Sequence, residues 1–313
     1  MRLLLAFAAV YIVWGSSYLG IQVAIETIPP FLMAGVRFLI AGSILFAFAR
    51  WRGASLPATH HWGPALLLGA LLLLGGNGAV VWAEQRVPSG LASILVADEP
   101  LWVVLLQWMF FGGLRPTGRE MLGIALGFVG VVLLIAPADL MGGAPVDLLG
   151  AAVLVGGSIS WGFGALYSRS ARLPASTLLS TAMQMLTGGA LMLLFATATG
   201  EWQRLDVGKI SLRSLIALGY LIVFAGIITF TAFIWLLRVV SPALVATHSY
   251  VNPVIAVFLG WLLAGEPVTG RTLLASSIIL GSVVLIIVGG RKVPARAETD
   301  PAVGAEPAIS STE

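Results

Sequence analysis

The 313-residue sequence contains no cysteine, so it cannot form a disulfide framework, a thiolate nucleophile or a cysteine-based metal site. Charged residues are also scarce, at 10% of the chain against about 25% in soluble domains. A soluble fold of this size needs a more polar surface than these residues can supply. The sequence also lacks a zinc-binding His-Glu-x-x-His pattern, a phosphate-binding glycine-rich lysine loop and a serine at a strand-to-helix turn. We therefore expect no enzyme, no cofactor and no metal site.

Long uncharged runs take the place of the missing charges. Ala65 to Trp82 and Met121 to Ala138 carry no charge, and runs of about 18 or more apolar residues are typical of helices that cross a membrane. In lipid the backbone must satisfy its own hydrogen bonds, so these runs predict helices rather than strands. We expect an all-α integral membrane protein with ten transmembrane helices, at 3–25, 31–49, 64–84, 88–111, 119–136, 148–168, 176–197, 212–236, 242–264 and 271–289.

The same pattern occurs twice along the chain. Trp14-Gly15 recurs 147 positions later as Trp161-Gly162, and Thr117-Gly118-Arg119 recurs 152 positions later as Thr269-Gly270-Arg271. If each copy crosses the bilayer an odd number of times, the second is inverted relative to the first, as in many secondary transporters. We expect a first repeat at 3–137, a second, inverted repeat at 147–290, and a disordered cytoplasmic tail at 291–313.

The basic residues predict the orientation. They are scattered singly between the apolar runs, so the net charge of +3 argues against nucleic acid as a partner. With the N-terminus in the cytoplasm, eleven Lys and Arg residues fall in cytoplasmic segments and five on the opposite side, as the positive-inside rule requires. We expect a multi-pass protein of the plasma (inner) membrane with both termini in the cytoplasm.

These motifs resemble the EamA domain, the repeat unit of the drug/metabolite transporter superfamily. Trp14-Gly15-Ser16-Ser17, Pro29-Pro30 and Arg37-Phe38 are similar to the opening of that domain, and residues 265–270 are similar to its acidic turn before the last helix. The first copy departs at 113–118, which contains no Glu. The resemblance covers about residues 4–290. It implies ten helices in two inverted five-helix repeats around a central cavity, and an activity such as export of amino acids, metabolites or drugs.

Asp98 and Glu99 are the most informative polar positions. Asp98 follows Pro88 by ten residues, or about 15 Å of helix, which is close to the middle of a hydrocarbon core about 30 Å thick. Ionisable groups at that depth usually face a cavity or a partner. One interpretation is proton coupling or binding of a cationic substrate. The other is a structural carboxyl paired with Arg37 beside a second one at a polar helix contact.

Proline occupies nearly equivalent places in the two copies. Pro100 follows the carboxyl pair directly, and Asn252-Pro253 lies 153 positions after it. Paired interruptions in the two halves of a transporter point to its binding site. The alternative is ordinary helix curvature, because proline is frequent in membrane helices.

Arg37 and its counterpart Gln184 lie within predicted helices. Arg37 could bind a substrate carboxylate or phosphate through two parallel hydrogen bonds. The alternative, a fixed salt bridge to Glu99, is the interpretation that we prefer from the sequence, because Glu99 lies only about 7 Å deeper by helical rise.

Aromatic and imidazole side chains complete the candidate site. His248 is a candidate proton relay, or alternatively a hydrogen-bonded packing residue. Rings near the predicted midplane could stack on an amphipathic substrate or hold a cation, or alternatively anchor the helices in lipid. The candidate rings of the site are Trp14, Trp102, Trp161 and Tyr250.

The sequence therefore predicts a secondary active transporter, an exporter of small amphipathic metabolites, amino acids or drugs by alternating access. Its expected partners are a small-molecule substrate, the lipid bilayer and protons, and its oligomeric state is left open. One alternative is uncoupled exchange of an anionic metabolite bound by Arg37. Another, from a different class, is a membrane scaffold that transports nothing.

Overall fold

The computed structural model describes residues 1–135, 146–240, 245 and 247–289. The predicted tail at 291–313 lies outside this part of the chain. The described residues form an all-helical protein, which confirms the predicted fold class. Its helices are α1 Arg2–Ile25, α2 Pro30–Trp51, α3 Thr59–Ala83, α4 Ser89–Phe110, α5 Gly118–Ile135, α6 Leu148–Ser168, α7 Thr177–Ala198, α8 Leu212–Leu237, α9 His248–Ala264 and α10 Gly270–Gly289.

The helices α1 to α8 are long and apolar enough to cross a membrane. The apolar segments of α9 and α10 are shorter, at Val251–Ala264 and Gly270–Ile286. The helix ends carry ordinary stop and start signals. Pro30 begins α2 in the first turn, where its missing N–H costs nothing, and Gly265 ends α9 at a φ of +67°, a left-handed conformation that favours glycine.

Small residues bring the two halves of the chain, α1–α5 and α6–α10, into close contact. In the pair α5 and α10, Gly123 meets Ser282 and Ile286, whereas Gly130 meets Ile279. Residue numbers thus rise along α5 as they fall along α10, so the two helices are antiparallel. Apolar burial offers little driving force between helices in lipid, and small residues allow the close approach that replaces it.

The largest contacts between the halves have a counterpart with the halves exchanged. In the first half, α1 packs on α8 and α9 of the second half. In the second half, α6 packs on α3 and α4 of the first. The pairs α2–α7, α4–α9 and α5–α10 are their own counterparts.

Three helices contain π-helical stretches, in which the backbone hydrogen bonds span five residues instead of four. They lie at Ala9–Val13 in α1, Gly69–Asn77 in α3 and Leu221–Phe230 in α8. The last two are related by the 152-position shift of the sequence repeat, since 69 becomes 221. π-Helical stretches are rare in proteins, and those that do occur often lie at functional sites.

Candidate functional site

A central cavity lies where the two halves meet. Its wall is formed by α1, α2, α3 and α4 of the first half and by α6, α8 and α9 of the second. Its empty volume, including the part open to solvent, is about 800 Å³. The π-helical stretches of α3 and α8 both contribute to this wall.

One wall of the cavity is an aromatic cluster. The ring of Trp14 meets that of Trp161 edge to face, with centroids 5.9 Å apart and planes at 82°. Phe233 packs 4.8 Å from Trp14 and 5.9 Å from Trp161. The two tryptophans occupy equivalent places in the sequence repeat, and the structure brings them into contact across the two halves. They offer aromatic surface to an apolar part of a ligand.

Glu99 and Asp98 have different surroundings although they are adjacent in sequence. Glu99 lines the cavity and makes no hydrogen bond or ion pair with any described residue. Asp98 is 2% exposed and accepts a hydrogen bond of 2.8 Å from the indole N–H of Trp102. Neighbouring positions on a helix point about 100° apart, so only one of the two carboxyls faces the cavity. Trp102 is not part of the cavity wall, and its ring packs edge to face on Phe128.

The expected salt bridge between Arg37 and Glu99 is wrong. Arg37 lines the cavity and is 3% exposed, and its Nη2 donates to the side-chain oxygen of Asn77 at 2.7 Å. Its Nε and Nη1 are buried and have no hydrogen-bond partner among the described residues. The guanidinium instead lies over the ring of Phe38, 4.3 Å from the centroid. The pair fails because Asn77, in the π-helical stretch of α3, offers Arg37 a nearer acceptor.

Gln184, the counterpart of Arg37, is outside the cavity wall. It lies in α7 with 1% of its surface exposed, and its amide nitrogen donates to the hydroxyl of Ser180 at 3.2 Å. The two halves are therefore chemically unequal at this position, with a cation in the cavity on one side only.

The helix break predicted at Pro100 is present in α4. The helix stops at Val96, turns through Ala97 and Asp98, and restarts at Glu99, which places Pro100 in the first turn of the second segment. Proline has no N–H, so it cannot donate to the carbonyl of Val96, four residues earlier. Val96 lines the cavity. The break thus interrupts the α4 backbone beside the cavity.

The break expected at Pro253 is absent, because α9 continues through this residue from His248 to Ala264. Its neighbour Asn252 lines the cavity. With its amide nitrogen turned toward α1, Asn252 donates to the carbonyls of Val10 at 3.2 Å and Tyr11 at 3.0 Å. These carbonyls lie in the π-helical stretch of α1, so the irregular backbone at this level is in α1 rather than in α9.

His248 begins α9 and lines the cavity with its ring 5.5 Å from that of Trp14. Its Nδ1 lies 3.1 Å from the carbonyl oxygen of Val245. Tyr250 lies in the same helix, but its side chain is outside the described part of the structure. The structure thus gathers Trp14, Arg37, Glu99, Trp161, His248 and Asn252 around one cavity.

Sequence reasoning missed several neighbours of these residues. Ser158 lines the cavity one helical turn before Trp161, so the spacing from that tryptophan could have identified it. Phe230 lies in an apolar run and carried no signal. Glu84 also carried none. It ends α3, yet only 4% of its surface is exposed.

Comparison with known proteins identifies a family and relatives over nearly the whole chain. A family model described as the EamA-like transporter family matches residues 1–136 and 148–288. The chain is 40% identical over 299 residues to "Uncharacterized inner membrane transporter YedA" of Escherichia coli (strain K12), covering 95% of this chain and 94% of the relative. It is 26% identical to "Probable amino-acid metabolite efflux pump" of the same strain, covering 90% and 93%. One solved crystal structure shares the fold, with a TM-score of 0.61 at 22% identity and coverage of 90% and 94%.

Proposed function

The chain belongs to the EamA-like transporter family and is a membrane transporter rather than an enzyme, and on that basis we propose that it exports small amphipathic molecules by alternating access. The observation that carries this proposal is the cavity. It is lined by both halves of one chain and combines an aromatic wall with a carboxyl group and a guanidinium group that have unused hydrogen-bonding capacity.

The proposed mechanism rests on inverted repeats. Among the described residues, five long helices precede and five follow the gap between the two family matches, and an odd number of spans per repeat requires inversion. The antiparallel packing of α5 and α10, and the exchange of contacts between the halves, support the same arrangement. The two repeats would rock against each other about the cavity. The distribution of Lys and Arg supports a location in the inner membrane with both termini in the cytoplasm.

The cavity chemistry favours a cargo with an apolar body and a charged end. The Trp14 and Trp161 rings can pack on the apolar part. Glu99 can accept from an ammonium group, whereas Nε and Nη1 of Arg37 can donate to a carboxylate. An amino acid with a large apolar side chain carries both charges, which agrees with the name of the Escherichia coli relative, a probable amino-acid metabolite efflux pump.

The group that we propose for proton coupling is Glu99. It faces the cavity, where a proton and a cargo ammonium would compete for the same carboxylate. Asp98 is a weaker candidate because Trp102 already occupies one of its oxygens. Each exchange cycle would then bring in one proton for the cargo molecule that leaves.

A binding screen followed by a flux assay tests this function. Purified protein is melted in the presence of amino acids, organic cations and nucleotide derivatives, because a ligand that binds only the folded state raises the melting temperature. The compounds that bind are then assayed in proteoliposomes with and without an imposed pH gradient. We expect amino acids with large apolar side chains to bind and their flux to respond to the gradient. The proposal would be contradicted if no compound of the three classes bound, or if the compounds that bind were not transported.

The two unpaired nitrogens of Arg37 favour a second candidate function, uncoupled exchange of an anionic metabolite. Here Arg37→Lys would weaken binding strongly, because lysine cannot form two parallel hydrogen bonds to a carboxylate or phosphate. Flux would be independent of the pH gradient, whereas proton-coupled export depends on it. The same proteoliposome assay therefore distinguishes the two candidates.

A further inference from the structure

Glu84 is a buried carboxyl group outside the cavity wall. It directly follows the last residue of α3, before the turn to α4, and 4% of its surface is exposed. Both of its carboxyl oxygens are enclosed and have no hydrogen-bond partner among the described residues. An ionised carboxylate without a partner in such surroundings costs several kcal/mol, about the same order as the stability of many domains. The group must therefore be neutral in this conformation or find a partner in another.

Arg37 is a cation that could serve as this partner. Its Nε and Nη1 are buried and unpaired among the described residues, while Asn77 holds its Nη2. Asn77 lies in the π-helical stretch of α3 and Glu84 directly after the end of this helix, seven residues later, so they lie on the same face two turns from each other, about 10 Å along the axis. Because Asn77 holds Arg37, the guanidinium is about two helical turns from Glu84, and charges at such a distance interact in a low-dielectric interior.

The turn between α9 and α10 contacts the start of α4, five residues after Glu84 in sequence. Glu266 in this turn accepts from the backbone N–H and hydroxyl of Ser89 at 2.8 and 2.6 Å, and from the backbone N–H of Gly90 at 2.9 Å. This contact, called the Glu266 latch below, ties the second half of the chain to the start of α4. A Cβ atom at Gly260 would lie 2.4 Å from a Glu266 carboxyl oxygen, so glycine makes room for the latch.

Along the chain, Glu84 stands between Asn77, which holds Arg37, and Ser89, which holds Glu266. The other titratable groups of the cavity wall are Tyr18, Glu99 and His248. From the α6 side, Asp147 is paired with Arg86 at 3.5 Å in an exposed salt bridge. In sequence, Glu84 thus lies between the residue that holds a cation in the cavity and the residue that holds an anion in the latch.

We propose that Glu84 is a proton-binding residue that links Arg37 in the cavity to the Glu266 latch. When Glu84 carries a proton it is neutral, Arg37 remains on Asn77, and the latch is undisturbed. When the O–H bond breaks and the proton leaves to water, the carboxylate attracts Arg37 out of its place beside Asn77 and repels the Glu266 carboxylate. Loss of one proton thus weakens the contact between the α9–α10 turn and α4. This inference rests on the proposed transport function, because only a transporter needs the latch to open.

The protonation of Glu84 can be measured directly. Infrared difference spectra of the purified full-length protein, titrated in pH, show the C=O stretch of each protonated carboxyl group. We expect a titrating band at the high-frequency end, where carboxyls without hydrogen bonds absorb. The band should be lost in Glu84→Gln, shifted in Glu84→Asp, and kept in Glu26→Gln, whose carboxylate is an exposed partner of Arg213. Spectra that are the same in wild type and in both Glu84 variants would refute proton binding at this residue.

The link to the latch needs a second measurement. The chain has no cysteine, so Ser93→Cys supplies a single thiol in α4, at a buried position one turn beyond Gly90. Its rate of modification by a water-soluble maleimide reports opening of the latch. After correction for the thiolate fraction of a free thiol, we expect the rate to rise with pH by up to about tenfold per pH unit, the limit for one titrating proton. The pH dependence should vanish with Glu84→Gln and remain with Glu26→Gln. An identical pH dependence with and without Glu84 would refute the link.

Neither measurement depends on transport. A protein that passes both tests but moves no solute in proteoliposomes would refute the proposed export while leaving proton binding at Glu84 in place. A protein that exports solute with the same spectra and labelling in wild type and Glu84→Gln would refute only the role of Glu84.

Discussion

At the scale of the residue, the cavity separates two carboxyls that are adjacent in sequence. Glu99 faces the cavity without a partner among the described residues, whereas Asp98 is buried against Trp102. The separation follows from the turn at Ala97 and Asp98, after which α4 restarts at Glu99. A group with a free carboxylate can exchange a proton or a cation, whereas one held by an indole serves mainly to position the helix.

Substituting each carboxyl separately tests this division. We expect Glu99→Gln to abolish the response of flux to a pH gradient, because an amide cannot exchange a proton. Asp98→Asn should keep that response and lower the free energy of unfolding by about 1 kcal/mol, since a charged hydrogen-bond acceptor becomes a neutral one. Flux in proteoliposomes and thermal melting measure the two effects, with Glu26→Gln as the exposed control. Equal loss of coupling in both carboxyl variants would contradict the assignment.

At the scale of the element, α3 packs on α7 through glycine. A Cβ atom at Gly69 would lie 2.6 Å from the backbone nitrogen of Gly188 and 3.0 Å from the carbonyl oxygen of Gln184. Backbone atoms cannot rotate away as a side chain can, so the helices themselves would have to separate. The same position begins the π-helical stretch that carries Asn77 into the cavity.

Gly69→Ala should therefore lower the free energy of unfolding by about 1–3 kcal/mol, the usual cost of overpacking. The matched control is Gly219→Ala in α8, where no atom lies within 4 Å of the added Cβ. That control should be neutral or stabilising by up to about 1 kcal/mol, since alanine is the better helix former. Melting temperatures of the two variants in one detergent compare them. If the two substitutions have the same effect, the α3–α7 contact is not as tight as described.

The turns between helices also make contacts, and the Glu266 latch connects the α9–α10 turn to the start of α4. A charged acceptor at the first backbone N–H groups of a helix stabilises it through hydrogen bonds and the helix dipole. In the first half, Glu120 accepts from the N–H of Thr117 at 2.6 Å and caps only its own helix, α5. The two carboxylates thus differ, because Glu266 reaches across to the other half of the chain, whereas the hydrogen bonds described for Glu120 stay at the start of α5.

Glu266→Gln should cost about 1–2 kcal/mol of stability, because one carboxylate oxygen that accepts from a backbone N–H becomes a donor. It should also raise the rate at which Ser93→Cys is labelled. The matched control, Glu120→Gln, should leave that labelling unchanged because its cap does not join the halves. A latch variant with wild-type stability and wild-type labelling would contradict this account.

At the scale of the whole molecule, the proposed alternating access requires the two halves to have opposite orientations in the membrane. The antiparallel α5 and α10 place the start of each helix at the opposite end of the pair. Gly118 and Gly270 occupy equivalent places in the sequence repeat, and each has open space where a side chain would begin. Each of these two glycines can therefore be replaced by cysteine without a steric clash, and labelling of the cysteine shows on which side of the membrane it lies.

Single-cysteine variants Gly118→Cys and Gly270→Cys should react with an impermeant maleimide from opposite sides of the membrane, the first from the cytoplasm. Whole cells and inverted vesicles give the two accessible sides, and labelling after solubilisation shows that both thiols react. Labelling of both from one side would exclude inverted repeats, and with them the proposed alternating access.

The sequence by itself determined the fold class, the helix number and the most conspicuous part of the cavity. Scarce charge and long apolar runs can only be accommodated in lipid as helices, and the duplicated Trp-Gly motif identified Trp14 and Trp161. These features depend on composition and on spacing along the chain. They do not depend on which residues far apart in sequence come into contact.

Only the tertiary structure decided how the polar side chains pair. Arg37 takes Asn77 rather than Glu99 because the wide turns of α3 bring the amide to it, and Pro253 leaves α9 unbroken while α1 becomes irregular instead. Glu84, at a helix end where an acid is ordinarily solvated, is buried. Such pairings depend on which faces of different helices meet, and that information is not contained in the spacing along any one of them.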